Sequence, residues 1–118
     1  MRVLYLVHQY LPRHRAGTEI YTHSLARAMT RRHECLVYTH EPAMDGGDVF
    51  AVNDAWEGVP VRRVSAWTAG QRHRTPIRLF QRSYRNPRIA EDLRVLIARW
   101  QPDVVHVQHL KDLSAEVL

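Results

Sequence analysis

The sequence predicts an α/β domain built on an open parallel sheet, and three observations carry that prediction. Its strand candidates are short runs apolar on both faces, Val3 to Val7 and Cys35 to Thr39 above all. Such runs mark strands covered on two sides. Between them lie segments with helical spacing of apolar residues. The polar chemistry gathers in two loops, one after the first strand and one after the last.

Each element follows in order. After Val3 to Val7 comes a polar loop, His8 to Gly17, containing Pro12. Tyr21, Leu25, Ala28 and Met29 then recur at helical spacing, with Ile20 widening the apolar stripe. Glu19 falls in the first turn and Arg27, Arg31 and Arg32 near the end, as a helix dipole favours. The expected helix covers 18–31, and Cys35 to Thr39 completes a strand–helix–strand unit.

Residues 42–58 carry Asp45-Gly46-Gly47-Asp48 and read as a surface loop or short excursion. Val59 to Val64 is a weaker strand, interrupted by Pro60 and Arg62-Arg63, and is expected near an edge. Residues 75–85 read as a short basic amphipathic helix, with Ile77, Phe80 and Tyr84 on one face. Asn86 then suits a helix cap and Pro87 the first helical position. Ile89, Leu93, Leu96, Ile97 and Trp100 form the buried stripe, which ends at Gln101-Pro102. Val104 to Val107 is the fourth strand, and Leu113 to Leu118 opens another helical pattern in which the sequence stops. The domain is therefore expected to be incomplete.

Composition narrows the function class. The 118 residues suffice for one domain, and 45% hydrophobic content supports a core. Basic side chains number 17 against 12 acidic, all arginines except Lys111, for a net charge of +5. That balance favours phosphate-bearing or anionic-membrane partners. The arginines are spread over several elements, which argues against a nucleic-acid recognition surface. The single cysteine, Cys35, excludes an internal disulfide and lies in an apolar run, where it reads as a small buried hydrophobe. The first apolar run is too short for a signal-peptide core or a bilayer span, so a cytoplasmic location is expected.

In an open parallel sheet, ligands bind beyond the carboxyl ends of the strands where strand order reverses. If the first and fourth strands are neighbours there, the His8–Gly17 and Gln108–Leu113 loops meet. Ala16-Gly17-Thr18-Glu19 opens a helix, whose free first-turn amides attract anions such as a diphosphate. A glycine there admits close backbone approach, but glycine also serves loop geometry alone. Glu19 has two readings as well, a ligand contact or simple dipole compensation. In His106-Val107-Gln108-His109, alternation puts His106 and Gln108 on one face, while His109 sits at the exit. His106 reads as a structural histidine, and His109 is the better chemical candidate. No Cys, Asp or Glu stands beside them at ligand spacing, so a metal site is not expected.

Read together, these segments resemble glycosyltransferase family 4, retaining enzymes of the GT-B fold. Arg2 to Val7, Ala16-Gly17-Thr18-Glu19, Leu25-Ala26-Arg27-Ala28-Met29 and Arg32-His33-Glu34-Cys35-Leu36-Val37 are similar to the family's opening. Gln101-Pro102-Asp103-Val104-Val105-His106-Val107-Gln108-His109 resembles its Pro-Asp-Val-Val-His-x-His segment, and Leu113-Ser114 continues the likeness. Ala16 departs from an expected glycine, Arg32 from another, and Gln108 stands where many members have histidine.

The resemblance implies a Rossmann-like half-domain, residues 1–118, on the acceptor side of a truncated two-domain enzyme. The nucleotide-sugar domain would be absent and the fragment inactive alone. It implies a nucleotide-diphosphate sugar as donor substrate, no cofactor, and a glycan or lipid-linked acceptor. His109 would take the catalytic, sugar-proximal role, which Gln108 is the alternative to fill. Gly17, Thr18, Glu19 and Gln108 would contact substrate. The Arg72–Arg88 region would give peripheral contact with anionic lipid, or else form a solvated face. The rival reading is a stand-alone Rossmann-like ligand-binding module. Against it, His8-Gln9 follows the first strand where a response regulator needs acids, and Gly17 lacks the companions of a dinucleotide fingerprint.

Overall fold

A computed structural model describes residues 1–41, 50–65, 86–110 and 113. The basic helix expected over 75–85 lies outside the described residues, as does all of the Leu113–Leu118 pattern except Leu113. The described residues form β1 (Arg2–Val7), α1 (Gly17–Met29), β2 (Glu34–His40), β3 (Ala51–Trp56), β4 (Val59–Val64), α2 (Pro87–Trp100) and β5 (Val104–Val107).

The sheet order is β3-β4-β2-β1-β5. β1 pairs in parallel with β2 (Leu4 opposite Leu36) and with β5 (Leu4 opposite Val105). β2 pairs in parallel with β4, so the order of the parallel strands reverses between β1 and β5. Alternation along β1 sends its side chains to two separate cores. Val3, Tyr5 and Val7 pack with Ala26, Leu25 and Met29 of α1. Leu4 and Leu6 pack with Ile89 and Leu93 of α2. Helices thus cover both faces, and β1 is buried from Val3 to Val7. The fold is α/β and Rossmann-like.

Two expectations are corrected. Residues 51–56 are not loop. They form β3, antiparallel to β4 from Ala51 opposite Val64 to Trp56 opposite Val59. Glu57-Gly58 joins the pair with φ of 46° and 83°, the two positive values of a tight hairpin turn. The sheet is therefore mixed, and β4 lies inside it. Pro60 is tolerated because pairing with β2 begins one residue later, at Val61. Arg62 and Arg63 are likewise used. Arg62 forks onto Asp92 of α2 through Nε (3.0 Å) and Nη2 (2.5 Å), and Tyr38 donates to the same carboxylate at 2.8 Å. Arg63, on the opposite face, donates from Nη2 to the Leu11 carbonyl at 2.6 Å and from Nε to Asp54 at 3.0 Å.

The second correction concerns α1. Its buried residues are Glu19, Thr22, His23 and Ala26, whereas Ile20 and Tyr21 are 51% and 59% exposed and Ala28 is exposed. Leu25 and Met29 do pack inward. Partners make the polar burial affordable: Tyr10 and His23 share a 2.5 Å hydrogen bond, and Thr22 donates to the Thr18 carbonyl at 2.7 Å. α2 follows expectation. Asn86 accepts from the Ile89 amide at 3.1 Å, Pro87 occupies the first position, and Gln101 in the left-handed region closes the helix.

Candidate functional site

The reversal between β1 and β5 brings the two chemistry-bearing loops to one rim. The Leu6 carbonyl accepts from the amides of both Gln108 (2.7 Å) and His109 (3.3 Å), which fixes the exit of β5 against the end of β1. His8 is the first residue past β1. Its ring lies against that of His109, with centroids 4.4 Å apart and planes inclined by 41°. On its other side, His8 Nε2 is 3.5 Å from Oε1 of Glu19.

Glu19 is fully buried. Its Oε2 accepts from the Ala16 amide at 2.7 Å, which satisfies the backbone at the helix start. Among the described residues, Glu19 meets the rim through His8. Gly17, exposed, lies outside the left-handed region, and a Cβ placed there meets no described atom within 4 Å. The loop does not need glycine for its own geometry. Thr18 is half-buried, with its carbonyl engaged by Thr22. His109 is exposed at the rim. Gln108 is half-buried and turned back, its Nε2 3.2 Å from His106 Nε2. His106 packs against Tyr5 with ring centroids 5.5 Å apart. The His109–His8–Glu19–Ala16 series of contacts thus links the two predicted loops.

A second polar assembly flanks this rim. Glu41, just after β2, is buried and lies 3.5 Å from Arg63, 3.7 Å from Arg13 and 3.7 Å from His14. The Arg63 guanidinium also faces the Tyr10 ring, 5.9 Å from its centroid. Burial pushes the Tyr10 phenol well above its ordinary range. Burial also holds the His23 imidazole below its ordinary value, opposed by Glu57 at 3.6 Å. These contacts fix the His8–Gly17 loop to β2 and β4. His8, Tyr10–His23 and Glu41–Arg63 were not singled out as functional from sequence. The rule that selected His109, a polar residue at the exit of an apolar parallel strand, selects His8 equally well.

Among the described residues, no three His, Cys, Asp or Glu side chains are placed to hold a metal ion. No described helix is long and apolar enough to cross a membrane. What the rim offers is an imidazole pair beside the start of α1, whose first-turn amides have no partners within the helix. Donors of that kind suit an anion together with hydroxyl groups.

A doubly wound α/β domain binds its ligands at the strand-order reversal, and this chain gathers its polar residues there. The family model of Glycosyltransferase Family 4 matches residues 15–118, and the chain belongs to that family. No curated protein and no solved structure matches the chain significantly.

Proposed function

We propose that this chain is the amino-terminal, acceptor-side half of a retaining glycosyltransferase of the hexosyl-transferring class. Its donor would be a nucleotide-diphosphate sugar, held largely by a second domain outside residues 1–118, without which the chain is inactive. The observation that carries this reading is the joining of the His109 tip to the Gly17 turn through His8 and Glu19.

Retaining transfer breaks the bond between sugar and phosphate while the acceptor hydroxyl approaches the same face. Negative charge grows on the leaving diphosphate and positive charge on the sugar. In the proposed arrangement, the Gly17 and Thr18 amides face the diphosphate, with no side chain at Gly17 to hold it off. His109 hydrogen-bonds the sugar as charge develops, the kind of preorganised contact that stabilises a transition state. Gln108 supports the same region from beside His106. The acceptor is a glycan or a lipid-linked molecule, taken up by a cytoplasmic enzyme. The Arg72–Arg88 segment has two readings, a solvated basic face packed on the domain or a peripheral contact with anionic lipid.

The test is sugar transfer by the full-length polypeptide, assayed across a panel of uridine and guanosine diphosphate sugars. His109→Ala should lower turnover by about 100-fold or more, with an unchanged circular dichroism spectrum. Undiminished turnover removes His109 from the mechanism.

A further inference from the structure

We propose that His8, held by Glu19, is the positioning residue that fixes the His109 ring at the rim; its consequence for sugar transfer rests on the reading above. His8 lies outside the residues matched by the family model, which begins at residue 15.

The argument starts from Glu19. A carboxylate with no exposed surface cannot meet a ligand directly, so its effect must pass through what it touches. One oxygen, Oε2, is committed to the Ala16 amide at 2.7 Å. The other, Oε1, makes no hydrogen bond to a described residue and faces His8 Nε2 at 3.5 Å. A buried carboxylate oxygen without a hydrogen bond is unfavourable. A shift of roughly half an ångström brings the His8 nitrogen into ordinary hydrogen-bond range. The pair is thus set to tighten, as contacts supporting a reaction commonly do when substrate closes the site. Closed to hydrogen-bond distance, the carboxylate would fix how the His8 ring is turned.

His8 in turn forms a wall for His109. Its side chain is 17% exposed, wedged between Glu19 and the β5 exit, while His109 is exposed. The backbone of His109 is tied to Leu6, which sets the residue at the rim beside His8. Ring contact at 4.4 Å denies His109 the rotamers that would swing across His8. Restricting an exposed side chain in this way removes an ordering cost from the reactive complex.

The experiment has two arms. In the 118-residue chain with labelled histidine, side-chain NMR relaxation reads the order of the His109 ring. Native protein should show a restricted ring and His8→Ala a mobile one. His8→Phe, which keeps the wall but loses the nitrogen facing Glu19, should fall between them. Backbone amide spectra serve as the folding control, and His8→Phe keeps the test open if His8→Ala unfolds.

In the full-length polypeptide, His8→Ala should lower kcat by about 10–100-fold, the usual effect of losing an orienting partner. KM for the nucleotide sugar should stay within about twofold, since uniform binding is untouched. His8→Phe should recover part of kcat. Native-like ring order and kcat in His8→Ala, alongside an inactive His109→Ala, overturn the positioning role alone. A fully active His109→Ala overturns the transferase role of His109 and removes any catalytic consequence of His8. The ring-order arm still reports in that case whether His8 holds His109.

Discussion

Gly17 is a proposed contact residue that folding itself does not require. Its backbone lies outside the left-handed region, and the space where a Cβ would sit is open. Gly17→Ala should therefore leave stability unchanged or raise it by about 0.4–1 kcal/mol through the unfolded chain. If a diphosphate approaches this backbone, the same change should weaken nucleotide-sugar use. Measured side by side, the urea midpoint should hold or rise while KM also rises, so that stability is kept as nucleotide-sugar use weakens. His23 supplies a pH dependence. Burial keeps its imidazole below the ordinary 6.5, so near that pH the unfolded chain binds a proton that the folded chain does not. Stability is then complete above about pH 6.5 and falls as pH drops toward the folded value. Thermal melts between about pH 7.5 and 5 should show that decline, and His23→Gln should flatten it. At this scale the sequence was half legible. The placement of His109 and Gly17 at strand ends was readable from sequence, whereas the contacts of His8, Tyr10 and His23 exist only through the fold.

The elements differ in how plainly they announce themselves. α2 carries its own start, stop and stripe: Asn86 caps, Pro87 begins, Gln101 ends and Leu93 faces the core. Asn86→Ala should cost about 1 kcal/mol in chemical denaturation with an unchanged m-value, because one helix-start amide loses its acceptor. α1 announces itself by charge, with Glu19 in its first turn and Arg27 in its last, but is rotated from the expected setting in its first turns. Hydrophobic spacing favoured burying Tyr21, yet His8 and Tyr10 make buried places for Glu19 and His23. Specific polar pairing won over apolar area. β3 was missed for a different reason. Ala51–Trp56 is largely exposed and polar in the middle, so it lacks the alternation that marks a half-buried strand. Its signal lay in the Glu57-Gly58 turn.

For the molecule as a whole, the element order determined more than any single residue. Short apolar strands separated by helices require crossovers, and crossovers place helices on both faces. The position of β5 beside β1, and with it the site, follows from that logic. The hairpin excursion does not, since antiparallel additions obey local turn chemistry. Among the described residues, the hairpin also makes the two borders of the sheet unlike. β3 presents Asn53 and Asp54, which pair with Arg62 and Arg63, while β5 presents Val104, Val105 and Val107 at about 40% exposure each. Polar or charged groups discourage strand addition at a border, and a valine ladder invites it.

Concentrating this 118-residue chain should consequently be limited by growth from one side only, as light scattering at rising concentration would reveal. Val105→Lys should suppress that growth, while a comparable change on the hairpin side should alter little. Colloidal behaviour in the test tube is thus already written into which strand was left with a greasy flank.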